Sequence, residues 1–213
     1  MDAKEKIARR VALELEDGQL VNLGIGLPTK VAQFIPDDVH ITLQSENGMT
    51  GLKDLVPEEI SRHIVNAGGA FVSIDSQGAF FDSSISFALI RGGHVDVTVL
   101  GTLEVDQQGN IANYMIPGKL VPGMGGAMDL VTGAKKVIVS MIHTSKGKPK
   151  ILKECTLPLT GRNCVDKIIT ELAVFEVKDN HLLLCEVAEE SSVEEVLALT
   201  EADVIVSDNI KKF

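Results

Sequence analysis

Short runs of aliphatic and β-branched residues recur along the whole chain, and Gly, Pro, Asp or Asn residues separate most of them. Such runs predict β-strands. Several are apolar at almost every position, which is typical of parallel strands covered by helices on both faces. The predicted strands are Leu20–Leu23, Val39–Leu43, Ala70–Ile74, Val95–Leu100, Val137–Ile142, Ala173–Val177, Leu182–Val187 and Val204–Val206.

Amphipathic segments lie between these runs and predict helices at Ala3–Glu16, Thr29–Phe34, Ser83–Ile90, Ala127–Thr132 and Val193–Leu199. The last helix has the clearest start, because Ser191 and Ser192 stand three residues before Glu194 and Glu195. A serine and a glutamate at this spacing can satisfy the free amides of a first helical turn. The alternation of strands and helices predicts an α/β fold, an open, mostly parallel sheet with helices on both faces, in one domain over residues 1–213.

Charge, hydropathy and cysteine content exclude several classes of partner and location. The 20 Lys and Arg residues against 30 Asp and Glu residues give a net charge of −10, so we expect neither nucleic acid nor an anionic membrane as a partner. The segment Met1–Gly18 is densely charged and lacks the apolar centre of a signal peptide, and no apolar run approaches membrane-spanning length. The three cysteines are odd in number and lack CxxC spacing, which predicts reduced thiols in a cytoplasmic protein and no zinc site.

A first candidate site is the segment Gly24-Ile25-Gly26-Leu27-Pro28, between a predicted strand and a predicted helix. Small residues there let a ligand approach the backbone, and the helix amides face an anion. The segment lacks the third glycine of the dinucleotide fingerprint, since Thr29 stands in its place, and it lacks the lysine of a phosphate-binding loop. A tight strand-to-helix turn with Pro28 in the first helical turn explains the residues equally well.

A second candidate is Gln44-Ser45-Glu46-Asn47-Gly48, which places a carboxylate where an apolar strand ends. Open α/β sheets bind their ligands at the ends of strands. Asn-Gly is also a favoured hairpin dipeptide, and a glutamate beside it is usually just solvated. From the residues alone the hairpin is the better interpretation, because no acid–base partner lies nearby in the sequence.

A third candidate is the glycine cluster Gly123-Met124-Gly125-Gly126-Ala127-Met128-Asp129 at the start of a predicted helix. Successive amides in such a turn form a nest for a phosphate or an oxyanion. A crowded backbone crossing that excludes larger residues accounts for the glycines equally well, and Asp129 is favourable there simply against the helix dipole.

Other polar residues carry weaker signals. His94 is left unassigned, since a histidine beside a strand is more often structural. The basic segment with His143, Lys146, Lys148 and Lys150 fits a solvated loop better than a phosphate site. Asp82 before a predicted helix is typical of a helix cap.

Five segments, in this order, resemble the beta chain of family I CoA-transferases almost end to end, most closely that of the 3-oxoacid and butyrate–acetoacetate CoA-transferases. They are Asn22-Leu23-Gly24-Ile25-Gly26-Leu27-Pro28, Ser45-Glu46-Asn47-Gly48, Phe80-Phe81-Asp82-Ser83, Arg91-Gly92-Gly93-His94-Val95-Asp96 and Gly125-Gly126-Ala127-Met128-Asp129. The Ser-Glu-Asn-Gly element in this position is the most specific of them.

The resemblance implies a function and a set of site residues. Glu46 is the expected nucleophile, which forms a glutamyl-CoA thioester as CoA moves between an acyl-CoA, such as acetoacetyl-CoA or butyryl-CoA, and acetate or acetoacetate. Gly24, Ile25, Gly26, Leu27 and Pro28 are expected to contact CoA. The backbone of Gly125 and Gly126 is expected to bind the oxyanion. After Gly48 the chain departs from relatives that carry a longer Gly/Pro-containing stretch, which leaves the shape of the acyl pocket open.

The resemblance also implies that the partner is a CoA-transferase alpha subunit, with two copies of each chain in the complex, and that CoA is a substrate, with no metal or tightly bound cofactor. Two alternatives to a CoA-transferase are kept. A sugar-phosphate isomerase-like enzyme would use the carboxylate as a proton-transfer base. A non-catalytic acyl-CoA-binding module would leave Glu46 without a role.

Overall fold

The computed structural model describes residues 2–59, 61–119 and 123–213. Ten strands form one large sheet: β1 (Leu20–Leu23), β2 (Thr42–Ser45), β3 (Met49–Lys53), β4 (Ser73–Phe80), β5 (Val97–Leu100), β8 (Lys136–Ser140), β12 (Lys167–Ile169), β13 (Ala173–Lys178), β14 (His181–Val187) and β15 (Val204–Lys212). Two smaller sheets contain β6 (Glu104–Asp106), β7 (Ile111–Ala112), β9 (Thr144–Ser145), β10 (Lys148–Pro149) and β11 (Ile151–Leu152). The helices are α1 (Ala3–Ala12), α2 (Ser83–Arg91), α3 (Ala127–Gly133) and α4 (Val193–Ala198), with 3₁₀-helices at Leu27–Phe34 and Pro57–Glu59.

The large sheet is parallel at its centre and antiparallel towards its ends. Its strand order is β15-β14-β13-β12-β8-β5-β1-β2-β3-β4. The five strands from β12 to β2 run parallel to one another, and β15 is parallel to β14. The other pairs are antiparallel. The prediction of an open, mostly parallel α/β sheet is therefore confirmed, with antiparallel extensions that the apolar runs did not reveal.

Both faces of the sheet are covered, as the continuous apolar strands predicted. Alternate residues of β5 and β8 enter different cores: Val97, Val99 and Ile138 face α1, whereas Val137 and Val139 face the side of α2 and α3. Successive side chains of a strand point to opposite faces of the sheet, so a strand between two helical layers needs apolar side chains on both faces. No helix in the described part of the chain is long and apolar enough to cross a membrane.

Several predicted boundaries were wrong by a few residues. The strand predicted at Val39–Leu43 begins only at Thr42, because Val39 closes a turn through its amide to the carbonyl oxygen of Pro36 at 3.0 Å. The strand predicted at Ala70–Ile74 begins at Ser73 and continues to Phe80. The first helix ends at Ala12 rather than Glu16, since the amides of Glu14 and Leu15 bond three residues back and tighten the chain.

A network of charged side chains joins α1 to the sheet. Arg10 donates two hydrogen bonds of 2.7 Å to the carboxylate of Glu186 and lies 2.9 Å from Glu14. Glu14 also accepts from Lys167 at 2.8 Å and from Lys136 at 2.9 Å. Burial alone would raise the pKa of Glu14, but the hydrogen bonds from Lys167 and Lys136 outweigh it and lower that pKa to about 2.

Two helix starts have the side-chain caps that the sequence predicted. Asp82 accepts a hydrogen bond from the amide of Ile85 at 3.0 Å, which caps α2. Ser192 accepts from the amide of Glu195 at 3.1 Å, which caps α4. Ser191 donates instead to the Glu195 carboxylate at 2.7 Å. The α2 cap matters for the site because it fixes the helix that begins just after β4.

Candidate functional site

All three candidate segments line one cleft of about 1310 Å³. β1 ends immediately before Gly24 and the neighbouring parallel strand β2 ends immediately before Glu46, so both lie at the same edge of the sheet. The segment Gly123–Ala127 closes the cleft from the side of α3. This is the carboxyl edge at which open α/β sheets bind ligands.

Glu46 lies in the turn of a β-hairpin. Ser45 pairs with Met49 across the antiparallel strands β2 and β3, which leaves Glu46, Asn47 and Gly48 as the connection. Gly48 has φ +121, and a Cβ there would collide with the carbonyl oxygen of Phe81. The hairpin interpretation of Asn-Gly and the placement of Glu46 at a cleft are therefore compatible, because the turn itself carries the carboxylate.

Hydrogen bonds within the turn and to two other segments of the chain fix its conformation. The amide of Gly48 bonds the Ser45 carbonyl at 3.0 Å, and the Gly48 carbonyl accepts from the amide of Phe81 at 3.0 Å. The Asn47 side chain donates to the Val65 carbonyl at 2.8 Å. Glu46 is thus a half-buried side chain on a turn that contacts two other segments of the chain.

A buried amide faces the carboxylate of Glu46. Asn22 Nδ2 lies 3.3 Å from Glu46 Oε2 and 2.7 Å from Gln44 Oε1. Gln44 Nε2 in turn donates to Ser86 Oγ on α2 at 3.0 Å. We did not predict site roles for Asn22, Gln44 or Ser86, although the sequence did hold a signal, since Asn22 and Gln44 are polar residues inside or beside apolar strands.

The glycine cluster approaches Glu46 closely. Gly126 precedes α3, and a Cβ on it would lie 3.1 Å from Glu46 Cγ and 3.4 Å from Phe87 Cε1. Gly125 has φ +56 and faces open space. Among residues 2–59, 61–119 and 123–213, no hydrogen-bond acceptor meets the amide of Gly125 or Gly126. The crowding interpretation holds at Gly126, and the amides stay available to a ligand.

Gly24, Ile25 and Gly26 form a wall of the cleft beside β5, whereas Leu27 and Pro28 do not line it. The amide of Gly24 bonds the Val99 carbonyl at 2.8 Å, and a Cβ on Gly24 would lie 3.0 Å from that oxygen. Gly26 has φ +90 and opens the 3₁₀-helix, in which Pro28 is buried. Ile25 is 68% exposed at the cleft. Gly24 is therefore needed for packing, while Ile25 and Gly26 present a surface to the cleft.

The other polar residues weighed from the sequence have structural surroundings. His143 is buried between Thr170 Oγ1 at 2.9 Å and Thr200 Oγ1 at 3.0 Å. Burial, with a smaller effect of nearby Lys150, lowers the pKa of His143 to about 4. Asp129 pairs with Arg91 at 2.6 Å on the outside of the α2–α3 contact. His143 is thus a neutral, buried side chain. It does not belong to the exposed basic loop that the sequence predicted for this segment.

The described residues contain neither an activated cysteine nor a cluster of side chains that could bind a metal ion. Cys155, Cys164 and Cys185 are free thiols. Burial raises the pKa of all three, that of Cys164 to about 11. Within the described ranges no group of three His, Cys, Asp or Glu side chains is placed to hold a metal ion.

Comparison with known proteins gives consistent matches over the whole chain. A family model described as Coenzyme A transferase matches residues 4–199. The beta subunit of the acetate CoA-transferase of Haemophilus influenzae is 60% identical over 213 residues, which cover 100% of this chain and 96% of the relative. A protein of the same description from Escherichia coli is 55% identical over 203 residues, covering 95% of this chain and 93% of that one.

A solved structure shares the fold. The apoenzyme of the acyl-CoA transferase YdiF from Escherichia coli O157:H7 matches with a TM-score of 0.81 and 25% identity. The match covers 100% of this chain, and this chain spans 43% of the YdiF chain.

Proposed function

The chain belongs to the coenzyme A transferase family and is of the beta type, and from that membership we propose that Glu46 is its nucleophile. The enzyme transfers CoA, which is its substrate. The observation that carries the assignment is the position of the Glu46 carboxylate, held at the cleft between a buried amide and the start of α3. Family membership decides for the CoA-transferase over the isomerase and the non-catalytic binding module.

The proposed reaction passes through a glutamyl-CoA thioester. The Glu46 carboxylate attacks the acyl-CoA carbonyl, the C–S bond breaks, and CoA thiolate leaves behind an acyl-glutamyl anhydride. The thiolate then attacks the glutamyl carbonyl and expels the acyl group as a carboxylate. An acceptor carboxylate attacks the resulting thioester, releases the thiolate again, and accepts it on its own carbonyl, which restores Glu46.

Each of these attacks creates an oxyanion, which fixed N–H groups stabilise. The amides of Gly125 and Gly126 are the proposed donors, supported by the closeness of Gly126 to Glu46 and by the lack of other acceptors for the two amides in the described part of the chain. Removing one such donor typically costs about 2.7–4 kcal/mol of transition-state stabilisation. The anhydride also requires the exclusion of water from the cleft.

The segment Gly24–Pro28 is the proposed contact for CoA. Gly24, Gly26 and the exposed Ile25 line the cleft, whereas Leu27 and the buried Pro28 begin the 3₁₀-helix that follows them. Binding energy from the remote parts of CoA is available here to assist the reaction at Glu46. No metal or further cofactor enters these steps.

The proposed partner is a CoA-transferase alpha subunit, with two copies of each chain in the complex. The two relatives are described as beta subunits, which supports such a partner. Their description as acetate CoA-transferases supports acetate as one acid, and the resemblance adds butyrate and acetoacetate. The free cysteines fit the proposed cytoplasmic location.

A trapping experiment tests the assignment. The chain, co-expressed with its alpha subunit, is mixed with acetoacetyl-CoA and then with borohydride, which reduces a glutamyl-CoA thioester to an alcohol. We expect a loss of about 14 Da that maps to Glu46. The loss is expected to be absent in Glu46→Gln and retained in Glu201→Gln, a matched change at an exposed position. An active complex without this adduct would place the catalytic carboxylate elsewhere.

A further inference from the structure

Three buried polar side chains form a row beneath Glu46. Asn22 on β1, Gln44 on β2 and Ser86 on α2 are 1%, 3% and 0% exposed. They are joined end to end, from Ser86 Oγ to Gln44 Nε2 at 3.0 Å and from Gln44 Oε1 to Asn22 Nδ2 at 2.7 Å. Buried polar groups without partners are costly, so each side chain constrains the orientation of the next.

The row decides which end of the Asn22 amide faces Glu46. Nδ2 has two hydrogens and faces three acceptors: Gln44 Oε1 at 2.7 Å, and the backbone carbonyl oxygen of Gln44 and Glu46 Oε2, each at 3.3 Å. The contact with Glu46 is at the long end of the hydrogen-bond range, whereas the contact with Gln44 is short. The orientation of the amide is therefore set mainly by Gln44.

While Glu46 is ionised, its negative charge also favours the orientation of Asn22 in which Nδ2 rather than Oδ1 faces it. In the glutamyl-CoA thioester the residue is neutral, and this electrostatic preference is lost. In that state Gln44 Oε1, which accepts from Asn22 Nδ2, keeps the amide nitrogen of Asn22 directed at the glutamyl carbonyl. The N–H then meets the oxyanion that forms when a carboxylate attacks the thioester.

We propose that Gln44 is a positioning residue, which acts through Asn22 to keep a donor on the glutamyl carbonyl oxygen during the attack on glutamyl-CoA. The inference rests on the proposed function, since it requires the thioester on Glu46. The same oxyanion on the glutamyl carbon forms when CoA thiolate attacks the anhydride and when a carboxylate attacks the thioester, so Gln44 is expected to act in both halves of the reaction. What distinguishes it from a residue that only supports folding is an effect on rate at unchanged KM that depends on Asn22.

The test follows the attack on glutamyl-CoA by itself, in the complex with the alpha subunit. Glutamyl-CoA enzyme is formed with acetoacetyl-CoA, desalted, and chased with acetate, and the decay of the thioester is followed by intact mass. For Gln44→Met we expect the chase to slow about tenfold or more, with the KM for acyl-CoA unchanged. The control Gln77→Met makes the same change at an exposed position of β4 and is expected to match the wild type.

A double-mutant cycle separates action through Asn22 from a general loss of order. In an Asn22→Ala background, Gln44→Met is expected to change the chase rate less than about twofold, because the group on which it acts is absent. An unchanged chase rate in Gln44→Met, or the same slowing in both backgrounds, overturns the proposal.

A milder variant keeps the test decisive if Gln44→Met does not assemble. Ser86→Ala removes one oxygen from the far end of the row and is expected to slow the chase a few-fold, and an unaltered rate contradicts the inference. If the wild type forms no glutamyl-CoA, the proposed function fails and the inference fails with it. If glutamyl-CoA forms normally and only the Gln44 effects are missing, the inference alone is wrong.

Discussion

The replacement of Gly126 by alanine tests how closely the start of α3 approaches the nucleophile. An added methyl would lie 3.1 Å from Glu46 Cγ, 3.4 Å from Glu46 Cβ and 3.4 Å from Phe87 Cε1. Carbon atoms in contact normally lie roughly 3.5–4.0 Å apart, so Glu46 or α3 must move by about half an ångström. Because the backbone of Gly126 has φ −84 and ψ 6, an alanine causes no conformational strain of its own.

A displacement of this size at the reacting carboxylate is expected to lower activity much more than stability. Since a misplacement of about 1 Å can reduce a rate about 100-fold, we expect kcat to fall about tenfold or more in Gly126→Ala. The rate of glutamyl-CoA formation in a single turnover should fall by the same factor, because the displaced atoms belong to the nucleophile.

The assay compares kcat, the single-turnover rate and the melting temperature of the complex with those of Gly101→Ala. Gly101 lies in the wall of the same cleft, and a Cβ there would meet no heavy atom within 4 Å. We expect Gly101→Ala to resemble the wild type. Full activity in Gly126→Ala, or an equal loss in both variants, would refute the argument that this contact positions Glu46.

Three further predictions concern the Gly48 turn, the charged network at Glu14 and the buried thiols. Gly48→Ala should destabilise the chain by at least about 1–3 kcal/mol through its positive φ alone, with more from the clash at Phe81, and should lower the midpoint of urea unfolding. Glu14→Gln should reduce the free energy of unfolding by about 3 kcal/mol at pH 7, because the folded-state pKa of Glu14 is about 2 against 4.5 unfolded. Since that stabilisation exists above the unfolded pKa and is lost as the pH falls towards 2, the difference from the wild type should shrink over this range in pH-dependent denaturation. The three cysteines, whose pKa values are raised by burial, should react slowly with iodoacetamide at neutral pH, and rapid modification with loss of activity would contradict this assignment.

The fold class and the position of the cleft were predictable because they depend on local patterns. Apolar runs such as Val97–Leu100 indicate buried strands. The glycines after β1 and the polar turn after β2 mark the carboxyl edge of the sheet. The short strands of the smaller sheets were missed, since Ile111–Ala112 and Ile151–Leu152 have only two residues each and depend on pairing with β6. Pairing between distant segments leaves little trace in a local pattern.

The buried side chains in the row beneath Glu46 were harder to predict for the same reason. Asn22 and Ser86 are separated from Glu46 by 24 and 40 residues in the sequence, and only the packing of β1 and α2 brings them to β2. A polar residue inside an apolar strand signals that a buried partner exists, but its identity is set by the tertiary fold. The glycine cluster allowed two interpretations, a crowded backbone crossing and an anion-binding turn. The structure shows crowding at Gly126 and open space at Gly125.

The location of Glu46 follows from the way the sheet changes direction. β2 is parallel to β1 on one side and antiparallel to β3 on the other, so the chain must reverse directly after β2. That reversal places the turn at the carboxyl edge, beside the loop that follows β1. A tight turn held by the Phe81 backbone fixes a carboxylate more firmly than a long loop could. The hairpin dipeptide, which alone suggested an ordinary turn, is thus the feature that positions the proposed nucleophile.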